Sequence, residues 1–169
     1  MTNIKEELYQ LIQELPEKEL ANLLFYAEHL KKDFLYREFL QAKGVVITEL
    51  YGEGDDIKGH WEAAFTSGIS EDKKKEIYLA QFLWHVFSYE EVPCLQREDA
   101  MAALDELTKT EFYVFYQNRP LVTKFEHADK VKAIDFKDQQ DIYIVDVNFN
   151  WTYVNTHEDQ CGPYFYQLI

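Results

Sequence analysis

A chain of 169 residues, 47% hydrophobic and 16% aromatic, holds enough apolar material for one packed domain plus a small appendage, which argues against a disordered protein. Its 31 acidic and 17 basic side chains leave a formal net charge of −14, a field that repels phosphate backbones and anionic lipid, so nucleic acid and membrane are set aside as partners. Residues 1–43 hold eight acids and six bases, whereas residues 44–169 hold 23 and 11, so the acidity belongs to the second part, at net −12.

No stretch reaches the roughly 20 apolar residues that span a bilayer, and "MTNIKEELYQ" lacks the basic-then-apolar order of a signal peptide, so a cytoplasmic protein is expected. Cys94 and Cys161 are too few for a disulfide framework and are expected as thiols.

In chain order, residues 4–15 place Leu8, Leu11, Ile12 and Leu15 on one helix face, and "LPEKELANLLFYAEHLKK" repeats the pattern with Leu20, Leu23, Leu24, Ala27 and Leu30. Pro16 suits the first turn of the second helix. The expectation is a helical hairpin over 1–42 as an appendage to an α+β domain over 43–169. Two short amphipathic helices bury too little surface to stand alone, so their stripe must meet the rest of the chain or another molecule, a dimer through the hairpin included. Leu15-Pro16, Leu20, Leu23-Leu24, Tyr26 and Leu30 resemble a short helical module at the ends of small bacterial proteins, among them antitoxins.

From Lys43 the texture changes: "KGVVITELYGEGDD" contains an apolar run that could be a short strand, then an acidic loop with Gly52 and Gly54. "DIKGHWEAAFTSGI" reads as a helix ending at Gly68, and Ser70 caps another running to about Phe87. "REDAMAALDELTK" gives one more. The period then drops to two in "EFYVFYQ", "PLVTKFE", "DIYIVDV", "WTYVNT" and "PYFYQLI", while "KVKAIDF" is ambiguous between a helical turn and a strand. The fold expected is α+β: the N-terminal hairpin, helices, then a mainly antiparallel sheet of four to five strands.

Candidate chemistry is sparse. In "LAQFLWHVFSY" Gln81, His85 and Ser88 would form a polar seam on an apolar helix, with Trp84 in the core or at a ligand. Asp146 either shares the buried face of Ile142 and Ile144 or accepts hydrogen bonds in the turn that Asn148 and Asn150 suit. Trp151 and Tyr153 share a strand face that His157 joins if the strand runs on. His157, Glu158, Asp159 and Cys161 are ligand types, but their spacing matches no metal motif, so no metal and no cofactor are assigned. Phosphate loops and nucleophile elbows are absent from the sequence.

Trp84 to Tyr89, Cys94-Leu95, Asp146 with Phe149 to Val154, Thr156-His157-Glu158 and Gly162 to Phe165 resemble, in that order, a family of small bacterial proteins catalogued only as domain of unknown function 4275. The resemblance covers about Val45 to Ile169 and implies no activity. The ending is also similar in texture to the terminal hairpin of immunity-type proteins.

Two readings follow. The first is a non-enzymatic module, of immunity or antitoxin type, that binds a basic protein, with Trp84, His85, Trp151, Tyr153 and His157 as the binding candidates although the terminal aromatics read chiefly as two strands of a sheet core. The second is a small hydrolase or metal-dependent enzyme using His157 and Glu158 with His85, Cys94 or Asp146.

Overall fold

The computed structural model describes residues 3–168, and the chain divides into two compact units, Met1–Leu40 and Gln41–Ile169.

The first unit begins with α1, Ile4–Glu14, whose N-cap Asn3 accepts from the Lys5 backbone N–H at 3.1 Å. Glu6 and Glu7 lie in its first turn, where the helix dipole favours them. Leu15 is extended, as a residue before proline must be, and Pro16 precedes α2, Glu17–Ala42. The two helices bury little, as their short amphipathic stripes lead one to expect: α1 buries none of its side chains, and α2 buries only Leu40.

The second unit is built on seven strands: β1 (Val46–Leu50), β2 (Leu95–Gln96), β3 (Glu111–Tyr116), β4 (Val122–Glu126), β5 (Ile142–Asp146), β6 (Trp151–Asn155) and β7 (Tyr164–Gln167). They form one sheet in the order β1-β4-β3-β5-β6-β7-β2, with every pairing antiparallel. The count exceeds the four to five expected because both edges are strands with weak sequence signals. At one edge is the short "VITEL", at the other a two-residue ladder in which Leu95 pairs with Phe165 and Gln96 with Tyr164.

The centre of the sheet is covered on both sides, which is why Ile142 to Val145 and Trp151 to Val154 are buried without alternation. On one side lie α3 (Gly54–Phe65), α4 (Glu71–Glu76) and the single turn α5 (His85–Ser88). Their Trp61, Phe65, Ile77, Trp84 and Phe87 pack with Phe115, Tyr143, Val154 and Tyr164. Burying one large apolar side chain contributes about 1.5–3 kcal/mol, and the polar atoms among them are paired. The Trp61 indole N–H donates to Thr152 Oγ1 at 2.8 Å, and that hydroxyl donates to the Ile144 carbonyl at 3.1 Å. Gly54 is required at the start of α3, since a Cβ there would sit 2.1 Å from the Pro120 carbonyl oxygen.

On the other side, α6 (Arg97–Glu106) packs against β7, β2 and the 3-10 turn Ala133–Phe136, which sets Phe136 against buried Tyr153. "KVKAIDF" thus resolves as that turn. Buried Lys109 donates to the Leu104 carbonyl at 2.8 Å, satisfying an acceptor in the last turn of α6, and burial holds its amine below the ordinary lysine range.

The helix expected from Ser70 to Phe87 stops at Glu76. Tyr78 takes a left-handed φ of 54°, its N–H bonds the Lys75 carbonyl at 3.1 Å, and the Leu79 N–H bonds the Lys74 carbonyl at 2.9 Å. This is a Schellman termination with tyrosine where glycine is usual, so the sequence carries no visible stop. Gln81, His85 and Ser88 therefore form no helical seam: Gln81 lies in the turn and His85 opens α5. Among the described residues no helix is long and apolar enough to cross a membrane.

Tyr78 is 61% exposed, so its ring contributes little packing while its backbone carries strain. Tyr78→Gly is expected to raise the unfolding free energy by about 0.5–1 kcal/mol in urea denaturation; a loss of stability would contradict the assignment.

Candidate functional site

The side chains worth testing gather at one end of β5, around a residue the sequence reading passed over. Asp141 precedes β5 in a left-handed conformation, φ 50°, which aspartate tolerates. Its carboxylate accepts from the Trp84 indole N–H at 3.0 Å and from the His157 backbone N–H at 3.3 Å. His157 Nδ1 lies 2.8 and 2.9 Å from its two oxygens. A carboxylate only accepts, so Nδ1 carries the proton and Nε2 is turned away, 4.0 Å from Glu158 Oε1.

The scaffold behind this arrangement is continuous. Gln117 pairs with Asp141 across the end of β3 and β5, its N–H bonding the Asp141 carbonyl at 3.0 Å. Gln117 Oε1 accepts from the Tyr143 hydroxyl at 2.6 Å and from the Leu83 N–H at 3.2 Å, and the Tyr143 oxygen accepts from the Trp84 N–H at 3.1 Å. Burial pushes the Tyr143 phenol well above its usual range, keeping it a neutral donor.

In front of Trp84 runs a row of rings. Tyr89 touches His85 at 5.4 Å between centroids, His85 touches Phe82 at 5.4 Å, and Phe82 touches His157 at 5.0 Å. His85 is fixed by an Nδ1 contact of 3.1 Å with the Tyr78 carbonyl. Tyr89 is half exposed, His157 and Glu158 are exposed, and acidic Glu90 follows Tyr89 in the chain. The row thus has a carboxylate, Glu158, at its His157 end.

The remaining candidates lie elsewhere or serve the fold. The strand β6 ends at Asn155, so His157 leaves the face of Trp151 and Tyr153 and meets Trp84 on the other side. Trp151 and Tyr153, expected at a binding surface, are core: 7% and 2% exposed, with Trp151 against Phe112 and Phe165 and Tyr153 against Phe136. Asp146 takes the turn role, its Oδ2 accepting from the Asn150 N–H at 3.2 Å and from Asn150 Nδ2 at 2.8 Å. The left-handed residue in that turn is Phe149 rather than an asparagine, φ 57°, and its ring packs on His60 and Tyr113.

Neither cysteine is primed as a nucleophile. Burial pushes the Cys94 thiol up to about 11, and burial followed by the neighbouring Glu158 raises Cys161, whose thiol donates to Glu158 Oε2 at 3.2 Å. Thr156 Oγ1 bonds the Glu158 and Cys161 carbonyls, folding "THEDQC" into a closed loop. Among the described residues no three His, Cys, Asp or Glu side chains gather to hold a metal ion. A hollow of about 400 Å³ beside α4 is lined by Glu62, Glu71, Lys74 and Tyr78 among others, and Lys74 is already paired with both glutamates at 2.9 Å.

Fold and site together define an α+β protein with a two-sided antiparallel sheet and a carboxylate-anchored aromatic and histidine surface at one sheet end. The chain belongs to the family described as domain of unknown function (DUF4275), whose model matches residues 34–165. That match starts inside α2, upstream of the Val45 start that the motifs alone indicate. No curated protein and no solved structure matches the chain.

Removing the carboxylate leaves the Trp84 indole N–H buried without a partner, so Asp141→Ala is expected to cost about 1–3 kcal/mol in chemical denaturation. Trp84→Phe removes that donor too, so the double variant must lose less than the sum of the two single losses. Strict additivity would contradict the coupling.

Proposed function

We propose that this protein is a non-enzymatic binding module that captures a basic protein on the row Tyr89, His85, Phe82 and His157. The observation that carries this reading is the row itself, with the Glu158 carboxylate beside its His157 end, on a part of the chain that bears −12. An arginine or lysine side chain finds there what its chemistry seeks: aromatic faces to stack on and a carboxylate to bond. The surrounding acid steers such a partner in and makes capture sensitive to salt.

The His157–Asp141 pair has the geometry of an oriented base, but both thiols are held protonated near neutrality, so it lacks an activated cysteine to serve. Binding makes better use of the same geometry: a ring held still by a carboxylate costs little further ordering when a partner docks. The immunity or antitoxin kind fits this reading, a small acidic protein that neutralises a basic one, in a reducing bacterial cytoplasm where Cys94 and Cys161 stay free thiols.

Capture from a lysate of the source cells, with bound proteins identified by mass spectrometry, tests it. Basic proteins are expected, released as salt rises to about 0.5 M and retained at least about tenfold less by Tyr89→Ala or Glu158→Lys. Acidic or neutral captives, or capture indifferent to both substitutions, would refute the reading.

A further inference from the structure

The helices of the first unit display apolar side chains in two regular stripes. Along α1, Ile4, Leu8, Leu11 and Leu15 follow a four-three-four spacing and are 36–73% exposed. Along α2, Leu23, Ala27, Leu30 and Phe34 repeat that spacing, with Leu30 at 70% and Phe34 at 59% and exposed Leu24 and Tyr26 beside them. A repeat averaging 3.5 residues is the seam by which helices pair with helices. The exposed apolar side chains of both helices together present on the order of 1,000 Å², beyond the few hundred Å² of a typical monomer's patch. That area meets the roughly 800 Å² that each partner of a stable interface buries.

Charge selects the occupant. Residues 44–169 carry −12, so copies of the second unit repel one another and a basic partner is drawn there. Residues 1–43, with eight acids and six bases, oppose a second copy least and attract a basic partner least. We propose that the stripes of α1 and α2 are covered by the same stripes of a second copy of this chain. The product is a symmetric dimer in which four helices, two from each copy, share one apolar core.

Sedimentation equilibrium of the full chain between about 1 and 100 µM reads this directly, because association follows mass action. The expected mass is twice 20.1 kDa, and it persists at high salt, which screens the repulsion between acidic units without weakening apolar contact. Leu30→Glu with Phe34→Glu is expected to give the single-chain mass, as is Leu11→Glu on the other helix, with dissociation constants raised at least about a hundredfold. Fluorescence of Trp61, Trp84 and Trp151, all in the second unit, must stay unchanged in these variants. A single-chain mass for the unaltered protein at the highest concentration, or a doubled mass in either variant, overturns the proposal. Capture of a basic protein is read separately, at the ring row, so failure of either result leaves the other standing.

Discussion

Three pieces of chain far apart in sequence meet at the Asp141 carboxylate: the Trp84 indole, the His157 ring and the end of β5. The side chain is only 16% exposed, and a carboxylate so placed persists because it is given donors. Each donor is in turn positioned by the core. Trp84 is held through its N–H by Tyr143, Tyr143 by Gln117, and Gln117 by the pairing of β3 with β5. The surface at this end of the sheet is therefore a consequence of strand register, and one carboxylate transmits that register to the rings outside.

The two units divide the chemistry between them. In the second, apolar surface is consumed by a sheet covered on both sides, so its outside is left to charge, and the charge is acidic. In the first, charge is nearly balanced and apolar surface is left outside. The proposed capture of a basic protein draws on the long-range field of the one, and the proposed pairing of copies on the apolar surface of the other.

Much of the fold was legible in sequence because period two is hard to mistake where the residues are aromatic and β-branched: all five strands from Glu111 onward lie where "EFYVFYQ" and its successors indicate them. The edge strand at Leu95–Gln96 was not legible, since two residues carry no period and their pairing with β7 is settled by tertiary contact. The stop at Tyr78 was missed, and the turn expected around Asn148 and Asn150 has its left-handed residue at Phe149 instead, for a shared reason: each places an aromatic residue in left-handed backbone, where glycine or asparagine would have announced it. Of the site, His157, Glu158 and His85 were marked by residue type. Asp141 was hidden at the head of "DIYIVDV", because nothing local reveals that an acid at a strand start will face an indole 57 residues away in the chain. Trp151 and Tyr153, rings of a strand expected in the sheet core and also named as binding candidates, serve the core alone, because a covering layer lies over their face as well.

The surface at this end of the sheet depends on His157 being held by Asp141 through Nδ1. Long-range ¹H–¹⁵N correlation of the neutral His157 ring measures this, since it separates the protonated ring nitrogen from the bare one. The expected result is a single Nδ1–H tautomer that gives way to the ordinary mixture in Asp141→Ala. A dominant Nε2–H tautomer in the unaltered protein, or a mixture indifferent to Asp141, would contradict the account.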